Sequence, residues 1–309
     1  VDEVKLLELI SKQYGIDSPE IMPGPRQFVA ETFIIRVEKE NKYFLKVIPQ
    51  TNFPRKIIKS LPTLEFLVEV GIDTISNPIP TNDGSLFVED NKYIYVLFAF
   101  IEGEQTFDYD NRLLAKFLAK LHLVSKEEKT NVERETFSSY VDELFPKTIK
   151  TAFQNNNDSV ASELKEVLSP YQSELETDWE TFQSIANECK RQSTERFVIT
   201  HGDAPGNIIA HEGKIFVIDW DDSMFAPPER DIWFLKENKK FMAEYLRNIP
   251  GFEWNDKFYA YYVLWRTFDD LFGWIGEIVS DKSDEHKMKN LQDLKKDYFD
   301  WLRPLVRNL

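Results

Sequence analysis

Residues 197–222 read FVITHGDAPGNIIAHEGKIFVIDWDD. Within them lie two carboxylates, Asp203 and Asp219, and one amide, Asn207, each beside an apolar run. Two acids and an amide held on one small unit match what phosphoryl transfer requires. One carboxylate takes the hydroxyl proton of the acceptor, while the amide and the second carboxylate hold Mg²⁺ on the phosphates of a nucleotide. Mg²⁺ favours hard oxygen ligands, and Asn plus Asp supply them. Asp and Asn are also common turn residues, because they tolerate turn geometry and bond nearby backbone. The ordered set, with its apolar flanks, is what favours chemistry over turns.

Such residues need elements to position them. FVIT reads as a buried strand, and NIIAHEGKIFVIDW as a hairpin turning at Glu212-Gly213. The hairpin puts Asn207 just before one strand and Asp219 at the end of its partner, so that the two converge. Upstream, FVAETFIIRVE (28–38) and KYFLKVIP (42–49) are β-rich runs joined by KENK, a hairpin signal. PRKIIKSLPTLEFLVEVGI has helical spacing, with Gly71 at its C-terminal end. NPIPTNDGSLFVEDNKYIYVLFAFIEGE supplies two more strands. Beyond Asp108 the period changes: Leu113, Leu114, Phe117, Leu118 and Leu121 share one helical face. Helical patterns fill roughly 136–192 and return at 228–247, 255–280 and 284–304. The expectation is an α+β fold with a strand-rich N-terminal lobe, residues 1–102, and a mainly helical C-terminal lobe, residues 103–309.

A chain of 309 residues, 42% apolar and 14% aromatic, can build a large core. Its net charge of −15 argues against nucleic acid and anionic membranes as partners. The same charge suits a cationic ligand or simply a soluble surface. The lone Cys189 excludes an intrachain disulfide and points to a reducing compartment; it lies in a helix-like run and reads as packing. From the charged opening VDEVKLLELI no signal peptide is expected. No apolar run approaches the ~20 residues of a membrane span. The expected location is the cytoplasm.

HGDAPGN followed by FVIDWDD resembles the aminoglycoside phosphotransferases and choline kinase-like enzymes, a branch of the two-lobed protein-kinase-like fold. IDWDDSMFAPPERDIWFL looks closest to the spectinomycin phosphotransferase-type members. The resemblance implies that Asp203 is the catalytic carboxylate and that Asn207 and Asp219 hold the metal, with ATP or GTP as co-substrate. It implies that Lys46, in YFLKVIP, binds the α/β-phosphates. A lysine in so apolar a run must find a partner or ligand, since an unpaired buried charge is costly; an edge-strand lysine pointing to water is the other reading. Glu65 is the expected ion-pair partner of Lys46, with Glu69 a competitor on the same helical face. The carbonyl of Ala99 and the amide of Ile101 are expected to bind adenine, and LLAKFLAKLH resembles the helix after the hinge. Two features depart from the family's pattern. Only Ala204, Pro205 and Gly206 separate Asp203 from Asn207, where four residues are usual. MPGPRQFVAETF offers only Gly24 over the phosphates, so that either Arg26 or Gln27 contributes there or the segment is a structural turn.

His201 is expected to support the Asp203 loop, His122 to be structural, and His211 and His286 to lie on the surface; four scattered histidines make no zinc site. Asp231 reads as a cap or buried anchor. Asp221 and Asp222 either face an acceptor or are solvated. In FYAYYVLWRTFDDLFGWIGEI, Asp270, Trp274 and Glu277 share a helical face that suits an organic cation through charge and cation–π contact; an amphipathic packing helix gives the same pattern. The resemblance implies a kinase acting on a hydroxyl of a small cationic acceptor, an aminoglycoside or aminocyclitol antibiotic, and hence antibiotic resistance. The same fold serves choline, methylthioribose, homoserine and fructosamine kinases. A metal-dependent hydrolase built on His201, Asp203 and Asp219 leaves Lys46 without a role. A weakly active nucleotide-binding module is a third reading.

Overall fold

The computed structural model describes residues 2–25, 30–37, 41–50, 55–125, 127–138, 141–154, 158–192 and 194–309. Arg26 and Gln27, the candidates for covering phosphates, lie outside the described residues. The strands are β1 (Glu20–Pro23), β2 (Glu31–Val37), β3 (Asn41–Pro49), β4 (Val88–Glu89), β5 (Tyr93–Ala99), β6 (Glu104–Gln105), β7 (Glu133–Arg134), β8 (Val198–Thr200), β9 (Ile208–His211), β10 (Lys214–Val217) and β11 (Met224–Ala226). The helices are α1 (Glu3–Tyr14), α2 (Arg55–Glu69), α3 (Asn111–Val124), α4 (Val141–Gln154), α5 (Ser159–Leu168), α6 (Gln172–Cys189), α7 (Glu229–Ile232), α8 (Lys239–Asn248), α9 (Asp256–Ile278), α10 (Asp284–Asp293) and α11 (Arg303–Arg307). The chain forms two compact units: residues 1–134, 197–231 and 237–252, and residues 135–196, 232–236 and 253–309.

The first unit holds the strands. Five of them form an antiparallel sheet in the order β1-β2-β3-β5-β4. Helix α1 is capped by the Asp2 carboxylate and stops at Gly15, whose φ of 65° favours glycine. Its Leu6, Ile10 and Tyr14 pack on Leu45, Val47, Tyr95 and Leu97 of the sheet. Strand alternation then sends Lys46 to the opposite face, where it sits opposite Thr32 and Val96 in register.

A second sheet has the order β10-β9-β6, and a third β7-β11-β8. In the β9–β10 hairpin His211 pairs with Lys214, leaving Glu212 and Gly213 as a two-residue turn with φ of 47° and 74°. Positive φ at both positions is the twist-compatible hairpin turn, which glycine accepts readily. Gly103 allows β6 to lie against β9: a Cβ there would fall 2.4 Å from the Ala210 carbonyl oxygen.

The second unit is helical. Its spine is α9, begun by Asn255, whose side-chain oxygen accepts from the Lys257 and Phe258 amides. Tyr261 and Phe268 of α9 are buried against Phe182 and Trp179 of α6, with ring centroids 5.4 and 5.1 Å apart. The aromatic stripe of this segment is therefore in large part core. Cys189 is buried, its thiol 3.5 Å from the Lys257 carbonyl. Among the described residues, no helix is long and apolar enough to cross a membrane.

Candidate active site

The loop after β8 carries the first acid. Asp203 is exposed and begins a 3₁₀ turn over Ala204–Gly206, closed by the Asn207 amide donating to the Ala204 carbonyl at 3.0 Å. This turn is how the chain spans the short interval from Asp203 to Asn207. The Asn207 side-chain amide then folds back, Nδ2 donating to the Asp203 carbonyl at 2.9 Å and lying 3.4 Å from Asp203 Oδ2. With Nδ2 so engaged, Oδ1 is the atom Asn207 has left to offer a cation. From the other side, Gln105 donates to the Gly206 carbonyl and Tyr109 to the Pro205 carbonyl. Burial pushes the Tyr109 phenol up to about 12, so the hydroxyl keeps its proton and its donor role.

The loop is fixed from beneath by buried polar groups. The His201 ring is 1% exposed. Its Nε2 faces the Ile218 carbonyl at 2.8 Å and its Nδ1 faces the Asp203 amide at 3.2 Å. A carbonyl only accepts and an amide only donates, so the hydrogen sits on Nε2 and Nδ1 is bare. The ring thereby links the Asp203 loop to the end of β10, and the Ile218 amide adds a second link by donating to the Asn207 carbonyl at 3.0 Å. Asp231 accepts from the His201 and Gly202 amides at 3.0 and 2.6 Å and meets His122 Nε2 at 3.1 Å. His122 continues to the Tyr245 hydroxyl at 2.7 Å. Burial alone would raise the Asp231 carboxyl, yet the His122 hydrogen bond and neighbouring positive charge, Arg230 included, hold it below the usual carboxylate range. Gly202, at φ 92°, is needed because a Cβ would lie 2.4 Å from the Arg230 guanidinium.

Beyond β10 the chain turns through Asp219, at φ 62°. Lys46, 6% exposed on β3, donates to Asp219 Oδ1 at 2.9 Å and to Asp221 Oδ2 at 2.6 Å. Burial opposes the charge on Lys46, but the two carboxylates more than offset it and hold the ammonium above its ordinary value. Glu65, the partner expected from sequence, is exposed on α2, as is Glu69; the structure does not bring either to the Lys46 ammonium. The partner that sequence reasoning passed over is Asp221. A signal for it was present: a buried lysine demands carboxylates, and Asp219-Trp220-Asp221 offers two at a spacing of two.

Among the described residues no cluster of three or more His, Cys, Asp or Glu could hold a metal ion. The donor chemistry nevertheless fits Mg²⁺. Asn207 Oδ1 and Asp219 are hard oxygen donors on two tied segments, and Mg²⁺ typically takes few protein ligands and completes its shell with water and phosphate. Ala99 closes β5, its amide donating to the Asn77 carbonyl at 2.9 Å, and Ile101 follows two residues on.

In the second unit Asp270 pairs with Arg266 at 2.9 Å, one turn away. Glu277 meets Lys282 and His286, each at 2.6 Å, and these hydrogen bonds lower its carboxyl, Lys282 most. Trp274 is half-buried between them in sequence. Both acids of the expected acceptor face thus already carry a cation of the chain.

The α+β architecture is that of the protein-kinase-like fold, and the class it defines is a small-molecule kinase. The chain belongs to the phosphotransferase enzyme family (APH), whose model matches residues 21–270. Among solved structures, spectinomycin phosphotransferase APH(9)-Ia in complex with ADP and spectinomycin is similar, with TM-score 0.78, 19% identity, and 96% of this chain and 94% of that one covered. An amicoumacin kinase bound to AMP-PNP and Ca²⁺ gives TM-score 0.64 at 12% identity, covering 99% and 97%. A microcompartment-associated aminopropanol kinase gives 0.63 at 17%, covering 94% of each chain. No curated protein matches the sequence.

Proposed function

We propose that this kinase transfers the γ-phosphoryl group of ATP to a hydroxyl of a small cationic acceptor, an aminoglycoside or aminocyclitol. The observation that carries the reading is the tie between two segments: Asp203 and Asn207 on one, Asp219 on the other, joined through His201 and the Ile218 amide, with Lys46 on Asp219. Asp203 orients the acceptor hydroxyl and takes its proton. Lys46 binds the α/β-phosphates. Asn207 and Asp219 hold Mg²⁺, which when bound neutralises phosphate charge. The Ala99 carbonyl and Ile101 amide bind the base. On this reading residues 1–102 are the nucleotide-binding lobe and residues 103–309 the catalytic and acceptor-binding lobe. Asp270, Trp274 and Glu277 are the acceptor contacts it offers, with the Arg266, Lys282 and His286 pairs exchanged for the ligand's charge. Cys189, a buried cysteine outside any disulfide, agrees with a cytoplasmic setting.

The spectinomycin-bound neighbour favours an antibiotic acceptor, and with it a resistance role, over a metabolite. The aminopropanol kinase supports the second reading, a kinase of a small amino alcohol. A panel of aminocyclitols, aminoglycosides and small amino alcohols, incubated with labelled ATP and Mg²⁺, separates them by the mass of the phosphorylated product. Turnover confined to amino alcohols would overturn the antibiotic reading; no Mg²⁺-dependent turnover on any hydroxyl acceptor would overturn both.

A further inference from the structure

We propose that Arg230 is a positioning residue that fixes the Asp203 loop and the Asp219 loop relative to each other; the inference rests on the kinase reading above. The side chain is 7% exposed, a cation held inside the first unit. Its Nη1 donates to the Thr200 hydroxyl at 3.0 Å and its Nη2 to the Asp222 carbonyl at 2.8 Å. Thr200 stands shortly before Asp203 in the chain, and Asp222 shortly after Asp219. The buried Thr200 gives its own hydrogen to the Met224 carbonyl at 3.0 Å, so its oxygen is left to accept from the arginine. The guanidinium also fills the space a side chain at position 202 would need: a Cβ on Gly202 would fall 2.4 Å from both Nη1 and Nη2. One rigid group therefore touches the residue next to Asp203 and the backbone just past Asp219.

The tie complements the one made by His201. That ring reaches the Ile218 carbonyl, on one side of Asp219, and Arg230 reaches the Asp222 carbonyl on the other. Between them the Ser223 amide donates to the Trp220 carbonyl and closes the turn. Two anchors bracket the Asp219 carboxylate, where one alone would leave the turn free to pivot. The guanidinium suits this task because its donors lie in a fixed planar fork, which a lysine ammonium lacks. Its placement follows from the chain: after Pro227-Pro228 the Arg230 and Asp231 amides donate to the Pro227 and Pro228 carbonyls, each at 3.0 Å. One turn thus presents both side chains, Asp231 accepting from the His201 and Gly202 amides and Arg230 donating to Thr200 and Asp222. Phosphoryl transfer needs the proton acceptor and the metal-held phosphate in line, and a misplacement of about 1 Å can cost on the order of 10²-fold in rate.

The test uses the full chain with Arg230→Lys, Arg230→Met and Thr200→Val, assayed well below the melting temperature of each. Arg230→Lys keeps the charge and loses the fork; it is expected to lower kcat about 10- to 100-fold while both KM values move less than about threefold. Thr200→Val keeps the side-chain shape and removes one of the two acceptors, so its loss should be smaller. Combined with Arg230→Lys it should cost less than the product of the two. A kcat within about twofold of wild type in a folded Arg230 variant overturns the assignment, as does a loss that vanishes once rates are corrected for the folded fraction. Hydrogen exchange of the chain without nucleotide reads the tie with no turnover. In Arg230→Lys the amides of 198–207 and 217–224 should exchange faster together, while β2 and β3 keep wild-type protection. Faster exchange in one segment alone, or across the whole unit, removes the tie. A wild-type protein with no nucleotide turnover would defeat the kinase reading while exchange still decided the tie. Should neither Arg230 variant fold, Thr200→Val carries both measurements, and unchanged kcat with unchanged exchange there overturns the proposal.

Discussion

Asp203 is exposed at the head of a three-residue 3₁₀ turn, and the Asn207 amide and the His201 ring fix its backbone. On the proposed reading this carboxylate orients the acceptor hydroxyl and takes its proton, a contribution that falls in the transition state. Asp203→Asn is therefore expected to lower kcat by roughly 10²–10⁴-fold, the usual span of general-base assistance, with nucleotide affinity nearly unchanged; a variant turning over at the wild-type rate would remove Asp203 from the role. Asp219→Ala should abolish transfer and weaken Mg-nucleotide binding, seen by calorimetry with and without Mg²⁺. Asn207→Ala should do the same in lesser degree, since the charged donor, Asp219, survives. At this scale much was legible. The ordered Asp, Asn, Asp set stood out because each member lies beside an apolar run, and the lone lysine of YFLKVIP because it lies within one. The lysine's partner did not: Asp219-Trp220-Asp221 offers two carboxylates at a spacing of two, but that both reach one ammonium depends on the backbone at Asp219, whose positive φ no side-chain pattern marks.

Elements of the first unit act on the loop through Asp231, which begins no strand and touches no solvent. It gathers two loop amides and His122, and through His122 it reaches Tyr245 on α8. Asp231→Asn replaces an acceptor with a partial donor facing amides and should cost about 2 kcal/mol or more of stability. The pH dependence has a definite sign. The folded carboxyl lies below its unfolded value, so its stabilisation is complete above the unfolded value, ~3.9, and is lost as pH falls through the folded one. The melting gap between wild type and Asp231→Asn should be widest near neutral pH and narrow below about pH 4; a gap constant down to acid pH would mean that the carboxylate's charge contributes nothing. The β2–β3 and β9–β10 hairpins, α3 and α9 were readable, since alternation and helical period are written in the side chains themselves. Helix α1 is not among the elements expected from sequence, although Leu6, Ile10 and Tyr14 recur every four residues. Strand β1 is short, at a sheet edge, and ends in Pro23, which an edge tolerates and a pattern search discounts.

The whole chain carries 53 acidic against 38 basic residues, and this excess bears on folding and on binding with opposite signs. Like charges repel in the compact state, so screening should stabilise it. A cationic acceptor is drawn by the same field, so screening should weaken its capture. Between about 0.01 M and 0.15 M salt the Debye length falls from ~30 to ~8 Å, enough to remove long-range terms while leaving buried contacts such as Lys46–Asp221 largely intact. The expected outcome is a melting temperature that rises with salt while the acceptor KM also rises. Asp270→Asn should reproduce part of the salt effect on the acceptor KM at low salt and leave the nucleotide KM alone. Because Asp270 is already paired with Arg266, removing its charge also leaves that guanidinium with less counter-charge, and it repels a cation in its turn. The double variant Asp270→Asn with Arg266→Gln separates the two contributions: a KM that returns toward wild type assigns the effect to the arginine. A KM that stays high assigns it to the lost carboxylate. An acceptor KM indifferent to both salt and Asp270 would leave the acidity of the chain to its surface alone and place the acceptor contacts on other residues.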